Sequence, residues 1–143
     1  MHDNILLPID INQKASWQHA LPAAVRQAGE NGTIHLLGIV QDFGSSMVAT
    51  FLPKGYEKKV LETMKANLNE FAEAHLKNLE GVNVKTHVGH GHVAETILKS
   101  AKKLGADLIV MGSHKPDELR SMLISSHANA VVRHSPVSVM VVR

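Results

Sequence analysis

Apolar residues along this chain fall by turns into short unbroken runs and into stripes of helical spacing. Ile5-Leu6-Leu7-Pro8-Ile9-Asp10 is a run without polar alternation, which predicts a strand buried on both faces. Pro8 weakens it slightly, because proline donates nothing to a ladder. Trp17, Ala20, Leu21, Ala24, Val25 and Ala28 share one helical face, closed by Gly29 and Gly32. Ile34 to Val40 is a second buried run. Gln41 to Gly55, with Gly44, Ser45, Ser46, Pro53 and Gly55, predicts an irregular connection. A long stripe follows, from Val60 and Leu61 through Met64, Leu68, Phe71, Ala72 and His75 to Leu76, and Gly81 ends it. Val82, Val84, Thr86 and Val88 alternate with Asn83, Lys85 and His87, the mark of a strand that is half exposed or near a sheet edge. Gly89 to His92 reads as a turn. Ala94, Ile97, Leu98, Ala101 and Leu104 form a further helical face, stopped by Gly105. Leu108 to Met111 is a buried strand ending at Gly112, followed by a loop from Ser113 to Arg120. Ala128, Val131 and Val132 predict a last short helix, and Val137 to Val142 a final strand.

Strand and helix alternate from end to end with no linker or internal repeat. That predicts one domain over residues 1–143: an open, twisted parallel sheet of about five strands, Rossmann-like, with helices on both faces. Such sheets bind ligands beyond the carboxyl ends of their strands, where strand order reverses. The loops after Ile9, Ile39, Val88 and Met111 are therefore the ones to watch.

Composition narrows the function classes. The 143 residues contain no cysteine, which excludes disulfides, thiolate chemistry and cysteine-bound zinc. Fifteen Lys and Arg against 13 Asp and Glu leave +2, too balanced to point to nucleic acid. Aromatics at 3% leave few platforms for stacking bases. No apolar run approaches the roughly 20 residues of a membrane span, and no basic segment precedes an apolar one near Met1. The expected location is the cytoplasm.

Three segments carry a resemblance. They are Gly105-Ala106-Asp107-Leu108-Ile109-Val110-Met111-Gly112-Ser113-His114, Ala130-Val131-Val132-Arg133-His134-Ser135-Pro136 and Val139-Met140-Val141-Val142-Arg143. With Ile5 to Asp10 and the Gly91 turn before Ile97-Leu98, they resemble the universal stress protein family over the whole chain, weakest from Gln41 to Leu79. The resemblance is to its nucleotide-binding branch. It implies a fold of the adenine nucleotide alpha hydrolase kind and ATP, AMP or ADP as ligand, with Mg2+ or Mn2+ held by the phosphates. The role it implies is that of a small dimeric stress-response or regulatory module, with at most slow ATP hydrolysis.

The family's phosphate loop reads Gly, two residues, Gly, nine residues, Gly, then Ser or Thr. Gly112 matches the first glycine and Ser126 the hydroxyl, while Lys115 and Ser125 replace the other two glycines. Ser113, His114 and His127 lie within the same match. A lysine cannot imitate bare backbone, yet its ammonium can meet a phosphate as a point charge. Ser125 and Ser126 are expected at a helix start, where free N–H groups favour an anion, or serve only as a cap. The resemblance also sets Pro8 and Asp10 beside ribose and adenine, and the Ile39 backbone at the adenine edge. Read from residues alone, Asp10 equally suits a helix cap and Ile39 the core. An interaction protein that keeps the fold but has lost the nucleotide therefore remains the alternative.

Other chemistry finds no support in the pattern. Gly112-Ser113-His114 lacks the frame of a Gly-x-Ser-x-Gly hydrolase, no Walker lysine follows a glycine turn, and Asp10-Ile11-Asn12-Gln13 stands where a dinucleotide fingerprint would begin. Asp117 and Glu118 qualify as bases only by lying in the loop, so no catalytic residue is assigned. Ten histidines include His87, His90 and His92 around a glycine turn, a spacing that matches no closed zinc signature, and no metal site is assigned. His75 is expected to pack half-buried. Val137, Val139 and Val141 alternate with Ser138, Met140 and Val142, so both faces of the last strand carry apolar groups. An apolar edge strand invites pairing, and the resemblance implies a homodimer through Val137 to Val142.

Overall fold

The computed structural model describes residues 2–41, 54–77, 81–113 and 121–143, without the side chains of 121–126. The expected connection from Gln41 to Gly55 thus lies mostly outside the described residues, as do His114 and Lys115. The chain runs β1 (Asn4–Pro8), a 3-10 turn (Lys14–Ser16), α1 (Ala20–Ala28), β2 (Thr33–Val40) and α2 (Tyr56–Leu76). It continues through β3 (Asn83–His90), α3 (Val93–Leu104), β4 (Leu108–Gly112), α4 (Ser121–His134) and β5 (Ser138–Val142).

The five strands form one sheet in the order β3-β2-β1-β4-β5, every pairing parallel. Strand alternation sorts the core into two layers. Ile5, Leu7, Ile34, Leu36, Leu108 and Val110 face α1 and α2, meeting Leu21, Ala24, Leu68 and Phe71. Leu6, Leu37, Ile109 and Met111 face α3 and α4, meeting Ile97, Ala101, Ala128 and Val131. Each large side chain fully removed from water contributes about 1.5–3 kcal/mol, and this burial is what drives the helices onto the sheet. Gly105 closes α3 at φ 65°, a left-handed conformation that favours glycine, and the Ala106 N–H returns to the Ala101 carbonyl at 2.9 Å.

Two boundaries and one burial differ from the sequence expectation. β3 does not stop before Gly89: Gly89 and His90 pair with Ile39 and Val40, and the Gly91 N–H donates to the Val40 carbonyl at 3.0 Å. The ladder to β2 overrides the local glycine signal. α4 begins at Ser121, well before the predicted Ala128, so Ser125 and Ser126 stand in its second turn and not at its start. Ala128 and Val131 pack against the sheet as their spacing predicts, whereas Val132 is 51% exposed. His75 is exposed instead of half-buried, its ring lying 4.9 Å from that of Trp17 and 4.4 Å from that of Phe71.

The two edges of the sheet are finished differently. In a parallel ladder, alternate residues turn their backbone groups toward one neighbour or away from it. The Asn83 N–H reaches the carbonyl of Gly32 just before β2 and the Gly91 N–H that of Val40, so the even residues of β3 face the open edge. There the Lys65 ammonium, reaching over from α2, donates to the Thr86 carbonyl and blocks the edge. On β5 the Val142 carbonyl accepts the Ser113 N–H at 2.8 Å, which leaves the N–H groups of Val139 and Val141 directed away from β4.

Candidate functional site

Strand order reverses between β1 and β4, and the two strands part there. Pairing of β1 with β2 continues to Pro8 and Leu37, whereas pairing with β4 ends at Leu6 and Ile109. Pro8 lies beyond that last bridge, so its missing N–H leaves no carbonyl of β4 unpaired. The gap opens into a cleft of about 1100 Å³ at the carboxyl ends of β1, β2 and β4.

One wall is the turn after β1. The Asp10 N–H donates to Ser16 Oγ at 2.9 Å, and the Ser16 hydroxyl hydrogen is shared between the Asp10 and Gln13 carbonyls, at 2.9 and 2.8 Å. Asp10 Oδ1 accepts the Asn12 N–H at 3.0 Å, closing an Asx turn. Asp10 therefore caps this turn and not α1, whose N-cap is His19. Trp17 pins the turn to α2, its ring edge-on to Phe71 at 5.0 Å.

The turn also explains Gly112. A Cβ on Gly112 would lie 2.5 Å from the Ser16 carbonyl oxygen and 2.9 Å from that of Ala15. Close approach of the 3-10 turn to the end of β4 demands glycine here, whatever the cleft holds.

Of the residues predicted for a site, Pro8, Asp10, Ile39, Gly112 and His127 line this one cleft. Ser113 follows directly, its backbone N–H committed to β5. Ser125 and Ser126 lie on α4 immediately before His127, and His114 and Lys115 fall outside the described residues. Sequence reasoning missed the wall supplied by α2, where Lys59, Thr63, Met64, Asn67, Glu70 and Phe71 follow one another at helical spacing. The stripe of Val60, Met64, Leu68 and Phe71 could have marked the neighbouring positions, but not that they rise above the end of β2. Asn12 and Gln13 were also missed, being ordinary turn residues in sequence. Asp10, Glu70 and Lys59 are the carboxylate and ammonium side chains among the described lining residues. The suspected histidine cluster disperses: His87 turns toward His35, and His90 Nδ1 meets Glu57 Oε1 at 3.2 Å. Among the described residues no three His, Asp or Glu side chains converge on a metal position.

The family model described as universal stress protein family matches residues 1–143. The chain belongs to the universal stress protein family. It is 29% identical to universal stress protein G of Salmonella typhimurium over 149 aligned residues, covering all of both chains. Among solved structures, the hypothetical protein MJ0577 matches with TM-score 0.76 at 28% identity, over 99% of this chain and 96% of that one. A universal stress protein in complex with cAMP matches with TM-score 0.67 at 15% identity, over 99% of this chain and 97% of that one. An Arabidopsis thaliana family member with AMP bound matches with TM-score 0.64 at 16% identity, over 98% of this chain and 90% of that one. The five-stranded parallel sheet is thus the fold of this family, and related members carry adenine nucleotides. No helix among the described residues of this universal stress protein is long and apolar enough to cross a membrane.

Proposed function

We propose that this universal stress protein binds an adenine nucleotide reversibly in the switch-point cleft and acts as a small regulatory module, not as a catalyst. The observation that carries the reading is the convergence of Pro8, Asp10, Ile39, Gly112 and His127 on one cleft between parting strands. Volume and chemistry agree with it. The cleft is large enough for a nucleotide, apolar along Ile39, Met64 and Phe71, and polar along Asp10, Asn12 and Asn67. Two structural neighbours hold cAMP and AMP. ATP, ADP and AMP are the ligands to try, and any Mg2+ or Mn2+ would be held through the phosphates. Calorimetry of the full chain with each nucleotide at millimolar concentration tests this. Heat of binding to a single site per chain supports the proposal; no heat and no thermal shift with any of them overturns it.

A second reading, an interaction protein that has lost the nucleotide, draws on two observations. Gly112 is explained by packing alone, and Ser125 and Ser126 stand inside α4 instead of offering its free N–H groups. The same titration separates the two readings.

The assembly that fits the fold is a homodimer through β5. The β3 edge is occupied by Lys65, whereas β5 directs the N–H groups of Val139 and Val141 outward beside the 41% exposed Val141, an apolar edge suited to pairing. Two such edges paired about a two-fold axis would close on themselves. Sedimentation equilibrium at micromolar concentration tests it, and a monomer at every concentration refutes it.

A further inference from the structure

Away from the cleft, the face of the sheet under α3 holds a polar link in apolar surroundings. His35 is only 4% exposed, on the same face as Leu6 and Leu37. Its Nδ1 lies 2.9 Å from His87 Nε2 on β3, and its Nε2 lies 3.2 Å from Asn4 Oδ1 on β1. The oxygen of Asn4 accepts, so His35 carries its proton on Nε2, and Nδ1 accepts from the Nε2–H of His87. The link thus ties three strands, β1, β2 and β3, through two imidazoles.

We infer that the His35–His87 pair is an acid-sensitive latch that holds the edge strand β3 to β2 when neutral and releases it when doubly protonated. One proton, placed on His87 Nδ1, leaves the bond between the rings intact. A second, on His35 Nδ1, sets two N–H groups face to face and breaks it. Lys85 on β3 opposes positive charge on both rings, Lys65 from α2 and Lys103 from α3 oppose it on His87, and β1 presents the neutral Asn4 to His35. Asp107, at the foot of β1, is engaged by the N–H groups of Asp3 and Asn4 and by His2. An aliphatic side chain would suit position 35 on packing grounds, since its neighbours are Leu6 and Leu37. A titratable ring there costs burial of polar atoms, and the latch is what it provides.

The sign follows from burial and then charge. Burial first lowers the proton affinity of both histidines below the ordinary value of 6.5, with His87 and Lys85 adding to it at His35 and Lys65, Lys85 and Lys103 at His87. The unfolded or opened chain therefore binds more protons as pH falls through 6.5. Stability is full above that value, declines below it, and levels off once the folded pair has itself titrated. Each excluded proton changes the folded-to-open ratio by up to about tenfold per pH unit.

The test is amide hydrogen exchange of the ligand-free full chain at about pH 7.5 and about pH 5, corrected for intrinsic rates, reading the β2-bonded amides of Lys85, His87 and Gly89 against those of β4. Protection of the β3 amides should fall more than protection of β4, by up to about tenfold per excluded proton for each pH unit below 6.5. His87→Gln keeps a donor to His35 Nδ1 without a second titrating ring, and His35→Leu removes the buried ring altogether; both should flatten the difference. The inference is overturned if β3 loses no more protection than β4, or if the differential loss persists in both variants. Should His35→Leu fail to fold, His87→Gln alone decides.

Discussion

Replacing Gly112 by alanine tests whether the end of β4 is shaped by packing. The added Cβ would stand 2.5 Å from the Ser16 oxygen, 2.8 Å from the Ser16 carbonyl carbon and 2.9 Å from the Ala15 oxygen. All three are backbone atoms of a turn whose hydroxyl and amide groups already bond one another, so no side-chain rotation can relieve the contact. Either β4 or the turn must move by several tenths of an ångström. Overpacking of this kind costs about 1–3 kcal/mol. At roughly 3 °C per kcal/mol for a chain of this size, the melting temperature of the ligand-free protein should fall by about 3–9 °C. Gly105→Ala is the matched control: nothing lies within 4 Å of its Cβ, and its φ of 65° costs only about 1–2 kcal/mol of left-handed strain. Differential scanning fluorimetry and urea titration of both variants, without nucleotide, measure the difference. An unchanged melting temperature for Gly112→Ala would refute the argument that the Lys14–Ser16 turn dictates this glycine.

Three further outcomes are expected. Ser16→Ala removes the acceptor of the Asp10 N–H and the donor to the Asp10 and Gln13 carbonyls, so it should lower stability by about 1–3 kcal/mol and weaken nucleotide binding by loosening that wall, read by calorimetry. Lys115→Gly combined with Ser125→Gly should tighten ATP binding if these side chains obstruct the phosphates; weakening by Lys115→Gly alone would mark the lysine as a phosphate ligand, and unchanged affinity would place the phosphates elsewhere. Val139→Pro removes an outward N–H of β5 while sparing the bonds to β4, so it should shift a dimer toward monomer in sedimentation without unfolding the chain; equal sedimentation of both proteins would argue against pairing through this edge.

What the sequence determined by itself is the succession of elements and the polarity of their faces. Unbroken runs such as Ile5-Leu6-Leu7 and Leu108 to Met111 require burial on both sides, and only a parallel sheet covered by two helical layers supplies it. The alternation of Val82, Val84, Thr86 and Val88 likewise marked β3 as half exposed or near an edge, and it stands at the sheet edge. From the alternation of strand and helix a candidate cleft was to be expected at the carboxyl ends, and five positions named by the family resemblance line the cleft found there. The tertiary structure decided what depends on partners distant in the chain. β3 runs on through Gly89 and His90 because β2 offers a ladder, which no local pattern encodes. α2 became a wall of the cleft through its placement over β2, and the reason for Gly112 lies in a turn nearly a hundred residues earlier. His35 read as one more residue of an apolar run until the sheet brought His87 to its ring, since hydrogen bonds between side chains need a register that periodicity does not contain.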